Sequence, residues 1–359
     1  TSCAAARHAS TAASRAVTTI HMQWGAAENI GAAAVVLVKM QDTFRDFEAN
    51  FRGQDWINLT RSHAEIPIFA VSLYLGMVFY VPTFLKTNDI KPLKLKTLFA
   101  GWNLLLSIFS IIGTTRTLPF LVDHLMKHGF TYTVCEDPAD WYLDGPSGLW
   151  VGLFIFSKVP ELLDTAFLVA MRKPVIFLHW FHHVTVMLYC WHAYHNRIAP
   201  GLWFASMNFA VHSIMYLYYF AMAANVGKGL TKPLAPFITT IQILQMAVGS
   251  AVTVWSARQH WTGGDAACHV DPANYKMGLA MYGSYFVLFS ILFGNKYLSK
   301  DQKSNMPSRI CGVDLGSGKA GVDTAGRFEE FPSTMPRSGS GSSLSPDSPV
   351  PAVKAKKVE

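Results

Sequence analysis

The sequence predicts an all-α, polytopic membrane protein with seven transmembrane helices, on three observations. Only 15% of its 359 residues are charged, against about 25% in soluble domains. The apolar residues gather into runs of about 20, long enough to cross a hydrocarbon core of about 30 Å. The loops between those runs alternate in charge.

The seven runs are residues 63–86, 97–120, 147–170, 174–195, 199–223, 234–257 and 273–298. Only Met171–Lys173 separate the third from the fourth, which predicts a tight helical hairpin. The chain thus divides into an N-terminal segment, 1–62, a seven-helix domain, 63–298, and a tail, 299–359. The tail is rich in Gly, Ser, Pro and Lys and is expected to be disordered.

Loop charge sets the orientation. Lys86, Lys91, Lys94 and Lys96 follow the first span, Arg172 and Lys173 the third, and Lys228 and Lys232 the fifth. The loop after the second span instead carries Glu136, Asp137, Asp140 and Asp144, with Lys127 its only lysine or arginine. The positive-inside rule makes the three basic loops and the C-terminus cytosolic and the N-terminus lumenal. The ending Lys356-Lys357-Val358-Glu359 resembles the dilysine retrieval signal of endoplasmic reticulum membrane proteins and needs the same orientation.

The net charge of +7 is explained by these loops and the tail. No recognition helix, zinc finger or glycine-rich phosphate loop points to nucleic acid. The five cysteines show no CxxC spacing, which argues against structural zinc. Cys135 and Cys268 fall in lumenal loops, where an oxidising compartment lets them pair as a disulfide. Asn58-Leu59-Thr60 is a glycosylation sequon close to the first span. Residues 1–27 lack Asp and Glu up to Ala27 and carry Arg7 and Arg15, as in an organelle transit peptide. The simpler reading takes Met22 as the true start.

A polar group inside a bilayer costs several kcal/mol unless it is paired, so the polar positions within spans are informative. The third span holds Lys158, Glu161, Asp164 and Thr165 on one broad helical face. The fourth holds His179, His182 and His183, and the fifth Asn208, His212, Met215, Tyr216 and Tyr219 as one stripe. The sixth holds Thr239, Gln242 and Gln245. Each set alone has a structural explanation: a self-neutralising Lys–Glu pair, aromatic packing, or Gln and Thr joining helices. Their depths decide otherwise. At about 1.5 Å per residue, Asp164 lies about 9 Å from the cytosolic end of its span, His182 and His183 about 12–14 Å, His212 about 16 Å, and the glutamines about 12–17 Å. Independent pairings have no reason to share one layer, whereas a single buried chamber open to the cytosol does.

The same residues resemble the signatures of the ELO family of very-long-chain fatty acid elongases, in order. Lys158-Val-Pro-Glu161-Leu-Leu-Asp164-Thr165 is similar to KxxExxDT, and His179-Trp-Phe-His182-His183 to HxxHH. His212-Ser-Ile-Met215-Tyr216-Leu-Tyr218-Tyr219 is similar to HxxMYxYY, and Thr239-Thr-Ile-Gln242-Ile-Leu-Gln245 to TxxQxxQ. The likeness runs over roughly residues 60–298. It implies seven spans around a buried acyl-CoA chamber, residence in the endoplasmic reticulum, and 3-ketoacyl-CoA synthase activity. A long acyl-CoA would condense with malonyl-CoA, releasing carbon dioxide and CoA. The 3-ketoacyl-CoA reductase, dehydratase and enoyl reductase of the elongation cycle would be partners, and a homodimer is compatible with the sequence. The stretch Phe177–Val186 resembles the subgroup acting on saturated and monounsaturated chains, which points to a C16-range substrate.

No cofactor beyond the two substrates is implied. Neutral imidazole can accept an acyl group, so His182 is the expected nucleophile, with His212, His179 and His183 orienting substrates or moving protons. Asp164 and Glu161 are expected to set a histidine tautomer. Asn208, Tyr216, Tyr219, Gln242 and Gln245 are expected to bind thioester or enolate oxygens. Lys158, with Arg172 and Lys173, is assigned to CoA phosphates. Cys190 lies seven residues beyond His183, about 10 Å deeper, too far to serve as carrier. A di-iron desaturase needs about eight histidine ligands in several boxes, and no third HxxHH follows here. A transporter or receptor does not explain four ordered sets at one depth.

Overall fold

Backbone amides in a bilayer have no water to bond, so apolar runs must satisfy them internally as helices. The computed structural model follows this. It describes residues 38–263 and 267–298 and, of the tail, only the pairs Arg309–Ile310 and Val313–Asp314, which form a short antiparallel ladder. The transit-like segment, most of the tail and the dilysine ending lie outside the described residues.

Twelve helices succeed one another among the described residues. A helix described over 38–49, α1, leads into α2 (Gly53–Ser62), α3 (Glu65–Phe79) and α4 (Val81–Thr87). The long α5 (Lys96–His128) and short α6 (Phe130–Cys135) follow, then α7 (Gly145–Ser157) and α8 (Leu163–Ala170). The set closes with α9 (Phe177–His195), α10 (Gly201–Ala224), α11 (Lys228–Gly263) and α12 (Pro272–Phe293).

Among the described residues, four helical stretches are long and apolar enough to cross a membrane: Glu65–Thr87, Lys96–His128, Pro233–Gly263 and Pro272–Leu298. The chain is therefore a multi-pass helical membrane protein. The other three expected runs are helical but fall short of that measure. The third is broken at Pro160, which brings no N–H to the helical ladder. In α9 and α10 the histidines, Asn208 and the tyrosines dilute the apolar character.

Close helix contact is set by small residues. At Gly113 of α5, an added Cβ would come within 2.6 Å of the Phe209 ring of α10. The same holds at Gly249 of α11 against the Tyr282 ring of α12. One apolar cluster joins α7, α9 and α10 through Trp150, Phe154, Trp191, Leu202 and Phe209. A second joins α9 to α11 and α12 through Tyr189, Met246, Tyr282 and Tyr285.

One end of the bundle is tied by loops. Cys135 and Cys268 form a disulfide across 133 residues of sequence, with their Cα atoms 4.1 Å apart. Asp144 accepts a hydrogen bond from the Gly53 amide at 2.9 Å and pairs with Arg52. In the sequon, Asn58 is exposed, but Thr60 is fully buried and donates to the Ile57 carbonyl.

Candidate active site

The site begins at the break in the third apolar run. Pro160 ends α7 in a 3-10 turn, Pro160–Leu162, before α8 resumes. The turn folds Lys158 onto Glu161, with Nζ donating to both carboxylate oxygens at 2.8 and 2.9 Å. Ser157 donates to the same carboxylate at 2.7 Å, and Lys158 Nζ also lies 4.2 Å from the centre of the Phe154 ring. Both ionic side chains are almost fully buried. Lys158 is therefore engaged inside the fold with Glu161, and its side chain is not open to CoA phosphates, the role expected of it together with Arg172 and Lys173. The continuous face expected for Lys158, Glu161, Asp164 and Thr165 is split by this turn.

Past the turn, Asp164 and Thr165 point to other helices. The Asp164 carboxylate accepts from Trp102 Nε1 of α5 at 2.6 Å and from the Tyr216 hydroxyl of α10 at 2.9 Å. No described histidine bonds either Asp164 or Glu161, so the expected acid-set tautomer is corrected. Thr165 takes that position instead. Its hydroxyl lies 2.8 Å from His179 Nε2 and 2.9 Å from the Tyr74 hydroxyl of α3.

The helical repeat of α9 then fans out the histidines. The rings of His179 and His183 stand 4.7 Å apart, and those of His182 and His183 5.5 Å apart. The Tyr74 ring packs 6.0 Å from His183. Across the gap, the His212 ring of α10 lies 6.5 Å from that of His182 and 5.4 Å from that of Tyr216. Asn208 sits one turn before His212, with its amide nitrogen 3.2 Å from His212 Nε2. The amide N–H donates there, which leaves the ring proton on Nδ1. The His182 ring is flanked at 5.1 Å by the ring of Tyr285 from α12, whose hydroxyl donates to the His182 carbonyl at 3.2 Å and also meets Thr185.

From α11 come Gln242 and Gln245. Gln242 donates to Met215 Sδ at 3.3 Å, and Gln245 is buried. Tyr219 is 40% exposed, although its ring neighbours Tyr216 at 6.5 Å. Arg172, in a left-handed backbone conformation, donates to the carbonyls of Leu85 and Ile90 and so staples the loop after α4. Sequence reasoning misses Tyr74, Trp102 and Tyr285. The available signal is an aromatic side chain with a polar tip inside an apolar run, which seeks a hydrogen-bond partner when buried.

Five helices thus bring four histidines, Asp164, Asn208 and a set of hydroxyls into one cluster of neighbouring side chains. Such a fold, with histidines clustered between its helices, defines a multi-pass membrane protein with a candidate enzyme site. The family model described as ELO, the GNS1/SUR4 family, matches residues 59–305, and the chain belongs to that family. It is 42% identical over 259 residues to "Very long chain fatty acid elongase 4" of Trypanosoma cruzi (strain CL Brener), covering 72% of this chain and 89% of that protein. It is 41% identical over 295 residues to "Fatty acid elongase 3" of Trypanosoma brucei brucei, covering 76% of this chain and 97% of that protein. It is also 42% identical over 198 residues to "Very long chain fatty acid elongase 6" of Drosophila melanogaster, covering 55% and 62%. The chain is accordingly a protein of fatty acid elongation and lipid metabolism.

Proposed function

We propose that this chain is a very-long-chain 3-oxoacyl-CoA synthase that extends a long acyl-CoA, of the saturated or monounsaturated C16 range, by two carbons from malonyl-CoA. The observation that carries the reading is the approach of His182 of α9 to His212 of α10, 6.5 Å between rings, in a chain of this family.

The chemistry runs in two halves. Neutral His182 attacks the acyl thioester carbonyl; the C–S bond breaks, and the imidazole proton leaves with the sulfur as free CoA. Malonyl-CoA then loses carbon dioxide, and the resulting enolate attacks the acyl-imidazole. A carbon–carbon bond forms, the C–N bond breaks, and the imidazole regains a proton taken from water. His212, whose Nδ1 is held protonated by Asn208, orients the incoming group, and His179 is fixed by Thr165. Gln242 and Gln245 are assigned to binding developing oxyanions. The Lys158–Glu161 pair serves as a buried structural latch next to the site.

The acyl tail runs along α9 away from the histidines. Two turns beyond His183, about 10 Å, lies an apolar void of about 30 Å³ lined by Tyr142, Val151, Phe154, Cys190 and Ala193. We place the methyl end of the substrate there, entering by parting these side chains. The seven-span arrangement completes the reading. The runs at α7–α8, α9 and α10 count as spans interrupted by site residues, in the endoplasmic reticulum, with the C-terminus cytosolic. The 3-ketoacyl product passes to the reductase, dehydratase and enoyl reductase of the cycle. Expression in an elongase-deficient yeast strain tests the whole reading. Lipid profiling should show chains two carbons longer with the wild-type chain and none with His182→Ala.

A further inference from the structure

The segment before the matched family region carries a feature that the reaction does not use. Helix α1 is amphipathic. Met40, Phe44 and Phe47 repeat at helical spacing along one stripe and are 64%, 42% and 57% exposed. The opposite sector carries Lys39, Asp42, Arg45 and Asp46, two charges of each sign. Between the two sectors a single residue points into the protein: Glu48, 2% exposed, accepts from Trp150 Nε1 of α7 at 2.7 Å and pairs with Arg116 of α5 at 3.0 Å.

That anchor fixes the level of α1. From Lys96 to Arg116, α5 rises about 30 Å, the thickness of a hydrocarbon core. The exposed apolar residues Leu105, Ile108, Ile111 and Ile112 of α5 precede Arg116, while beyond it the exposed Val122 and Met126 alternate with the Asp123–Lys127 ion pair. The Glu48–Arg116 pair therefore stands where the purely apolar face of α5 gives way to mixed apolar and charged residues, and the α1 stripe continues that face.

We infer that α1 lies in the membrane interface, with Met40, Phe44 and Phe47 seated in one leaflet, the charged sector in water and Glu48 gripping the bundle. With the charges of that sector balanced, the helix fits a zwitterionic phospholipid surface and has no built-in preference for anionic lipid. It belts the bundle at the end opposite Lys96. This inference does not depend on the proposed reaction.

The test uses the full chain in phosphatidylcholine nanodiscs, with Cys3→Ser and Cys311→Ser as background. An environment-sensitive fluorophore is attached at Phe44→Cys or Phe47→Cys, and at Asp42→Cys as the polar-face control. Doxyl-labelled phosphatidylcholine should quench the labels at 44 and 47, and aqueous iodide should quench the label at 42. Iodide quenching at 44 and 47, with no quenching by the spin-labelled lipid, would overturn the inference. Quenching by neither reagent would also overturn it, since protein, such as a second copy of the chain, would then cover the stripe. Elongation activity retained by the labelled variants shows that they are folded.

Discussion

Thr165 Oγ1 lies 2.8 Å from His179 Nε2, and the same hydroxyl meets Tyr74, so one threonine couples α3, α8 and α9 at the edge of the site. The contact fixes how the first histidine of the box is turned. Replacing Thr165 with Val keeps the volume but removes the hydroxyl. Since a net hydrogen bond contributes about 0.5–1.5 kcal/mol, kcat should fall by up to about tenfold. Thr165→Ser should restore most of it. Steady-state assay with detergent-solubilised enzyme reads both, and an unchanged Thr165→Val would remove His179 from the account.

The Lys158–Glu161 pair makes a sharper claim. Removing one partner of a buried ion pair strands a charge and costs about 3–5 kcal/mol, whereas replacing both can be nearly neutral. Lys158→Met should therefore lower the unfolding temperature well below that of the double variant Lys158→Met/Glu161→Gln. A thermal melt followed by size-exclusion chromatography measures this. Equal loss in the single and double variants would mean that Lys158 serves a partner other than Glu161.

The void beyond His183 leads to a specificity test. Ala193 lines it, and Ala193→Phe fills the place assigned to the methyl end of the substrate. Product profiles should shift to shorter chains with little change in rate on the shortest accepted substrate. Cys190→Ala should keep activity within about twofold, because a thiol about 10 Å from His183 cannot carry the acyl group. Activity abolished in Cys190→Ala would return the cysteine to the mechanism.

The disulfide links α6 to the segment before α12 over a loop of 133 residues. Loss of a native disulfide typically costs about 2–5 kcal/mol. Cys135→Ser/Cys268→Ser should melt earlier, and the wild type should fall to the same temperature after full reduction. Matching melts for the oxidised wild type and the double variant would show that the bond is dispensable for stability.

The residue types of the site are legible in the sequence because a bilayer makes polar side chains conspicuous. His182, His212 and Asp164 stand out in apolar runs. Their partners are less legible. The spacing of Lys158, Glu161, Asp164 and Thr165 reads as one helical face, yet Pro160 inserts a 3-10 turn that sends the two pairs apart. Proline within an apolar run is a visible warning, but the direction of the turn is not. Trp102, Tyr74 and Tyr285 hydrogen-bond at or beside the site from α5, α3 and α12, where aromatic residues are common and no spacing sets these three apart. Helix ends also differ from the apolar runs. α5 runs on to His128 and α11 starts at Lys228, because polar flanks continue a helix beyond its apolar stretch. The anchoring of α1 through Glu48 depends on partners 68 and 102 residues away and leaves no local trace.

The account stands or falls on His182 as the group that receives the acyl chain. Purified enzyme incubated with a C16 acyl-CoA and no malonyl-CoA should gain the mass of one acyl group, mapped by peptide fragmentation to His182. The adduct should disappear when malonyl-CoA is added and be absent from His182→Ala. Active enzyme that turns over both substrates yet carries no acyl mass, or carries it elsewhere, would contradict the covalent mechanism.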